Sequence, residues 1–297
     1  MNSEMAYLLG MITGNGIIQR GNFETTITVV LPHKKLVTVE FHDVALYVNA
    51  SLTNIRNVLD PLIGVPISTS QEKHNTIMSF SKRNEDYLIR ELLQHINLSS
   101  TRNTMRVPNA INDASRDDKL SFLRGFSDVT AYIRRSNTLF GNPHQHRVYI
   151  EIPNNWFLVI DIANMLKTLD IPIQNIDWAH PNTRDSNLKK FHEGKPSFWK
   201  KEHQIKIFAN EFLPIGFSIL HKNAALETYA NELLAELDRL NKTSSTTTHR
   251  FYWETRQSTK VKPVHPGESD PSLPNEIRGQ HFNSWQEIAS VLGYDKT

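Results

Sequence analysis

A chain of 297 residues, 39% apolar and 22% charged, has the make-up of an ordinary globular protein with room for one large or two medium domains. Its formal charge of +2 excludes overall basicity as a way of holding nucleic acid, so such a role needs positive charge gathered on one face. The lack of cysteine excludes disulfides, thiolate zinc sites and cysteine nucleophiles.

No run of about 18 uncharged apolar residues offers a membrane span. No basic stretch followed by an apolar core marks a secretion signal, and a cytoplasmic location is expected. Glu4 to Ile18 reads as an apolar helix ending in a glycine turn, with a strand just after. Phe23 to Val30 alternates and is rich in β-branched residues, which predicts a strand. Asp43 to Leu59 has helical spacing, with Val44, Tyr47, Leu52, Ile55 and Leu59 on one face, and Pro61 and Gly64-Val65-Pro66 are expected to end it. Asn75 to Ser81 reads as a strand. Asn84 is the expected N-cap of a helix through His95, with Tyr87, Leu88, Leu92 and Leu93 inward.

Thr104 to Pro108 is an extended connector, since Pro108 disfavours a helical Val107. Strands follow at Ala131 to Phe140 and Arg147 to Ile152, with Gly141-Asn142-Pro143 as the turn. Asn154 or Asn155 caps a helix carrying Phe157, Ile160, Ile162, Leu166 and Leu169. Gln204 to Phe208 is a strand and Phe212 to Leu220 a short helix. Ala224 to Leu240 is an amphipathic helix with Leu226, Tyr229, Leu233, Leu234 and Leu237 on one face. Asn241 to Thr248 reads as a Thr/Ser linker. Beyond it, Val261 to Pro274 is proline-rich and irregular, and Ser284 to Leu292 suits a short helix. So little apolar material makes a weak core of its own, so this tail is expected to dock on the main body or on a partner.

The first helix has a second copy about 115 residues on, from Asp118 to Ile133. Leu8 matches Leu123, Gly10 matches Gly125 and Ile18 matches Ile133. These two helices, with the Arg106-Val107-Pro108 approach to Lys119 to Phe126, resemble the LAGLIDADG homing-endonuclease family in its monomeric two-repeat form. The resemblance covers roughly Met1 to Leu240. It implies an α+β fold of two pseudo-symmetric αββαββα repeats, residues 1–100 and 101–240, followed by a linker and small extension, 241–297. It implies helices packed through Gly10 and Gly125, antiparallel sheets forming a saddle in the DNA major groove, and a monomer made by internal duplication. The expected partner is double-stranded DNA, with nucleoid association when bound.

In the family, the eighth residue of each motif is acidic, and the two carboxylates share divalent metal between the strands to be cut. Here those positions hold Asn15 and Thr130. Neither is an anionic ligand of the kind magnesium needs. The motif therefore implies lost catalysis: no catalytic residue and no resident metal are expected, and Mg²⁺ enters only if the chain is a nuclease after all. Asp128, at the sixth position, is the weak candidate for a substitute ligand. Glu4 lies about 16 Å from Asn15 by helical rise and cannot replace it. Candidate DNA contacts are Arg20, Thr26, Thr28 and Lys73 in the first half, and Arg134, Arg135, Arg147, Lys200, Lys201 and Lys206 in the second. For each the alternative is a solvated surface side chain. Lys189-Lys190 and Lys200-Lys201 flank a connection with Trp199 that suits phosphate contact.

Other motifs weigh less. His144 and His146 share one side of a strand without a third metal ligand, and read as surface histidines near DNA. His203 and His265 are isolated. Glu254 with Arg256 echoes poorly the acid-x-lysine of another nuclease class. Trp285 to Tyr294 resembles the first part of a helix-turn-helix. The expected function is sequence-specific DNA binding. The alternatives are a homing or restriction endonuclease, with unusual ligands or a site in the tail, and a regulator whose tail recruits another protein.

Overall fold

A computed structural model of the protein describes residues 1–36, 44–101, 104–135, 146–153, 155–180, 202–243, 260–263 and 291. The elements, in chain order, begin with α1 (Ser3–Asn15), β1 (Gly16–Arg20), β2 (Glu24–Pro32), α2 (His33–Leu36) and α3 (Val44–Ile63). β3 (Ser68–Gln71), β4 (Asn75–Arg83), α4 (Tyr87–His95), α5 (Asn109–Asn112), α6 (Arg116–Thr130) and β5 (Ala131–Arg134) follow. The rest are β6 (Arg147–Pro153), α7 (Trp156–Thr168), β7 (Asn175–His180), β8 (Glu202–Phe208), α8 (Ala209–Phe212), α9 (Leu220–Thr243) and β9 (Lys260–Pro263). Setting aside the one-turn helices, the order αββαββα occurs twice, from α1 to α4 and from α6 to α9. The fold is α+β.

Contacts divide the chain into two compact units, Met1–Val148 with Phe208–Glu236, and Tyr149–Ile207 with Leu237–Thr297. Both repeated helices lie in the first unit, so the division follows the helix pair and not the boundary between repeats.

In the first unit, β1, β2, β4 and β3 form an antiparallel sheet in that order. Alternation sorts its faces. Thr25, Ile27, Val29 and Leu31 of β2 and Thr76, Met78 and Phe80 of β4 are buried. Their neighbours point the other way. The outer edge of β1 is covered where the Ile18 amide donates to Ser100 O at 3.0 Å. In the second unit, β7 pairs antiparallel with β8, Ile176 facing Ile205, and parallel with β9. β9 takes residues 260–263 out of the irregular segment expected there and adds them as a strand beside β7.

Several local expectations need correction. Asn84 does not cap α4. Asp86 does, its Oδ1 accepting the Leu88 amide at 2.9 Å. Asn84 instead closes the β1–β2 hairpin. It accepts the Thr25 hydroxyl at 2.8 Å and donates to Gly21 O and Asn22 O at 3.1 and 3.2 Å. Pro61 lies inside the last turn of α3, and the helix stops after Ile63, where Gly64 adopts φ +75° and its amide bonds Asp60 O. Tyr47 and Tyr87, expected inward, are 37% and 74% exposed, and Phe157 and Leu234 are also exposed. Of the two capping candidates for α7, Asn155 is used, accepting the Leu158 amide at 3.1 Å. The helix expected at Phe212 to Leu220 is displaced: α8 ends at Phe212 and α9 begins at Leu220. β3 and β7 went unread in the residues; every β3 side chain is exposed, so no alternation marks it. The strand and turn expected at 136–143 lie outside the described residues beyond Arg135, as do the helix at 284–290 and the linker from 244.

Candidate nucleic-acid interface

The helix pair fixes everything else in the first unit. Asn2 caps α1 by accepting the Met5 amide at 2.9 Å, and α1 is buried all round from Met5 to Asn15. Ser115 caps α6 by accepting the Asp118 amide at 3.2 Å. A cross-link joins the two starts: the Ser3 hydroxyl donates to Asp118 at 3.0 Å. Farther along, the backbones nearly touch. A Cβ on Gly10 would lie 2.0 Å from Phe122 O, and a Cβ on Gly125 would lie 2.1 Å from Tyr7 O. The two contacts are images of each other at the 115-residue offset, and only glycine at both positions permits them. The symmetry breaks one turn on: a Cβ on Gly14 would stand 2.6 Å from Cγ2 of Val129, the residue at the matching place in α6.

At the ends of these helices the two motif positions are occupied by intramolecular hydrogen bonds. The Asn15 amide donates to Val30 O at 2.7 Å, which ties α1 to β2. The Thr130 hydroxyl donates to Phe126 O at 2.7 Å, back along its own helix. Asp128 is fully buried. It accepts the Tyr7 hydroxyl at 2.7 Å and the amides of Ser218 and Ile219 at 3.1 and 3.3 Å. Burial raises its pKa, while the Lys222 ammonium, Tyr7 and the two amides oppose that shift. Its carboxylate is thus a link between α1, α6 and the approach to α9. To serve as the substitute metal ligand weighed from the sequence, Asp128 would have to leave these partners. Lys222 was not singled out in the sequence. It is also fully buried, donating to Ala131 O at 2.8 Å and Ser127 O at 3.2 Å, where it satisfies carbonyls at the end of α6. Burial lowers its pKa to about 8, with Asp128 working against the shift. A divalent metal shared by Asn15 and Thr130 does not fit this donor set, which offers an amide and a hydroxyl but no anionic oxygen.

The middle of the outer face of the β1-β2-β4-β3 sheet is rich in small hydroxyl residues, with Val30 and Ile77 beside them and Glu24 opposite Arg83 at one end. One row across the sheet runs Gln19, Thr26, Ser81, and the next runs Ile17, Thr28, Ser79, Ser68. Thr26 and Ser81 share a hydrogen bond at 2.8 Å, and so do Ser68 and Ser79. Thr26 and Thr28, named from the sequence as candidate contacts, alternate with the buried Thr25, Ile27 and Val29 and lie on the opposite face of β2. Gln19, Ser79 and Ser81 were missed, although alternation with buried Met78 and Phe80 would have placed the two serines beside the threonines.

The basic residues do not form one set. Lys73 is exposed in the β3–β4 turn and Arg134 at the end of β5. Arg20 is exposed but pairs with Thr25, on the other parity from the hydroxyl rows, and reaches Leu98 O at 3.3 Å. Arg135 bonds Glu232 at 2.6 Å and lies over the Tyr229 ring. Arg147 packs over Phe208, and in the second unit Lys206 lies over Tyr149. Lys200 and Lys201 lie outside the described residues, as do Lys189, Lys190, Trp199, His144, Glu254, Arg256 and His265. His146 is not a surface histidine: it is buried, bonds Glu232 at 2.7 Å and packs on Tyr229. His203 is buried as well. Lys35, unread in the sequence, is buried with its ammonium 5.1 Å from the Tyr132 ring centre. Among the described residues, no three His, Asp or Glu side chains gather as a metal site, and no helix is long and apolar enough to cross a membrane.

No protein-family model and no curated protein matches the chain. Among solved structures it is similar to the homing endonuclease I-DmoI in complex with DNA and calcium, at 14% identity over 71% of this chain and 85% of that one, TM-score 0.36. It is similar to the N-terminal LAGLIDADG domain of WhiA at 13% identity, over 78% and 82% of the two chains, TM-score 0.39. It is also similar to the LAGLIDADG homing endonuclease I-GzeII in complex with its DNA target, at 9% identity over 86% and 96%, TM-score 0.35.

Proposed function

We propose that this protein is a sequence-specific double-stranded DNA-binding protein, on a LAGLIDADG-like scaffold without a two-carboxylate nuclease centre of its own. The observation that carries the reading is the outer face of the first sheet. Its rows of Gln19, Thr26 and Ser81 and of Ile17, Thr28, Ser79 and Ser68 are uncharged, and polar apart from Ile17. A β-ribbon of this kind fits the major groove, where Ser and Thr bond base edges of either sort and Gln takes adenine. Lys73 and Arg134 are exposed beyond the rows and supply phosphate contact. The absence of catalysis is supported by Asn15 and Thr130, each a neutral side chain already bonded within the fold. Because one chain holds both helices of the pair, the binding species is a monomer. It acts in the cytoplasm at the nucleoid, and residues 241–297 are the place for a protein partner.

Selection from a random DNA pool tests this reading. One enriched motif is expected, with affinity falling as salt rises. The double variant Thr26→Glu and Ser79→Glu places two negative charges on the face and should abolish binding. Tyr87→Glu, on the exposed side of α4, should not. Failure to enrich any motif, or binding that survives the double variant, overturns the proposal. The rival reading is an endonuclease with unusual ligands. Incubating the protein with the selected site and magnesium or manganese should leave the DNA intact; metal-dependent cutting would establish the rival.

A further inference from the structure

A cavity of about 320 Å³ opens in the first unit beside the early turns of α1, against α3 and α6. Glu4 and Tyr7 line it from α1, Ile55 and Val58 from α3, Arg124 from α6, with Ser218 and other small polar side chains completing the wall. By helical rise Tyr7 is about 12 Å along α1 from Asn15, so the cavity is separate from the motif positions discussed above. Its size is at the low end of small-molecule sites, which run about 300–1,000 Å³. That suits a compact molecule and not a nucleotide.

Its polar groups are held apart by charge. Arg124 has one nitrogen committed, Nε donating to Ile215 O at 2.6 Å, which fixes the guanidinium at the wall. Among the described residues the Glu4 carboxylate has no hydrogen bond or ion pair of its own, and the same holds for the other guanidinium nitrogens of Arg124. The Tyr7 hydroxyl is turned away to Asp128, which leaves its ring as part of the lining. The lining thus offers one anion on α1, one cation on α6, and an apolar side made of Ile55, Val58 and that ring. A simple anion would meet Glu4, and a simple cation would meet Arg124. A molecule with both charges satisfies both walls.

We propose that this cavity is a binding site for a free aliphatic α-amino acid. Its carboxylate pairs with the terminal nitrogens of Arg124, its ammonium with Glu4, and its side chain packs on Ile55 and Val58. Two of its lining residues, Tyr7 and Ser218, donate to the Asp128 carboxylate of α6, and Lys222 of α9 donates to the Asp128 carbonyl. Occupancy therefore stiffens the link between α1, α6 and α9.

Calorimetry and thermal unfolding of the full chain without DNA test this directly, so the result does not depend on the proposed DNA role. L-leucine, L-valine, L-isoleucine and L-methionine are the probes, with leucinamide lacking the anion and N-acetyl-leucine lacking the cation. At least one amino acid should bind saturably and raise the Tm, and removing either charge should weaken binding about tenfold or more. Glu4→Gln should erase the preference for the free amino acid over its N-acetyl form. Val58→Trp, on the exposed rim, should fill the cavity and abolish binding while the protein stays folded. No saturable binding of any of the four, an amide or N-acetyl form that binds as well as free leucine, or binding unchanged in Val58→Trp overturns the proposal.

Discussion

Replacing Gly10 by alanine sets two effects of opposite sign against each other. In an exposed helix interior, alanine is favoured over glycine by about 0.8–1 kcal/mol. At Gly10 the new Cβ would sit 2.0 Å from Phe122 O and 2.9 Å from Phe126 N. Ordinary Cβ contact begins at 3.4 Å, so the helices must part by more than an ångström. The opposing atoms are helix backbone and cannot rotate aside as a side chain would. A radial gap of about 0.5–1 Å already forfeits a quarter to a half of each dispersion contact along the crossing. Overpacking of this kind costs about 1–3 kcal/mol, and a clash against backbone belongs at the upper end. The net expectation is destabilisation by about 2 kcal/mol, since the loss exceeds the propensity gain. Urea unfolding followed by circular dichroism reads it as a lower midpoint at unchanged slope, and a chain of this size should lose about 3 °C in Tm. Gly125→Ala meets Tyr7 O at 2.1 Å and should cost the same. The double variant should cost less than the two singles together, because one parting of the helices accommodates both methyl groups. A Gly10→Ala protein as stable as the parent, or more so, would falsify the close-approach argument. Strict additivity would show that the two glycines do not share one crossing.

The buried Lys222 makes stability depend on pH in a defined direction. Its folded pKa of about 8 lies below the ordinary lysine value of 10.5, so between these the unfolded chain binds more protons and stability rises with pH. The rise is at most about 1.4 kcal/mol per pH unit. It should be read between pH 8 and 9.5, because Tyr7, raised by burial and by Asp128, works the other way at higher pH. Lys222→Met should abolish that slope, and at pH 7 it should cost about 3–5 kcal/mol by leaving Asp128 buried without its cation; a slope surviving in the variant would locate the proton elsewhere. Asn84→Ala should cost about 1–3 kcal/mol by freeing the partly buried Thr25 hydroxyl and the two hairpin carbonyls. Asp86→Ala should cost about 1 kcal/mol by removing the α4 cap. Both are measured by denaturant unfolding, and a neutral Asn84→Ala would return that residue to the surface.

The residues by themselves determined the duplicated helix, its paired glycines, the doubled order of elements and the neutral side chains at Asn15 and Thr130. These are local or periodic properties: a buried helix is apolar all round, a half-buried strand alternates, and a 115-residue offset is visible in one dimension. Which side chains meet was decided only by the tertiary structure. Asp128 reads as a free acid near a helix end, yet it is consumed by Tyr7 from 121 residues away and by amides 90 residues away. Arg135 and His146 read as groove contacts, yet they share Glu232 from a helix far along the chain. Lys222 carries no mark in the sequence, yet it lies in the core, where it donates to three carbonyls near the end of α6. A charge or hydrogen bond gains its worth from the partner and the dielectric around it, and neither is written in the neighbouring residues. The opening α1 helix shows both sides: its composition made it a buried helix, and only the approach of Phe122 O to within 2.0 Å of a would-be Cβ explains why Gly10 must be glycine.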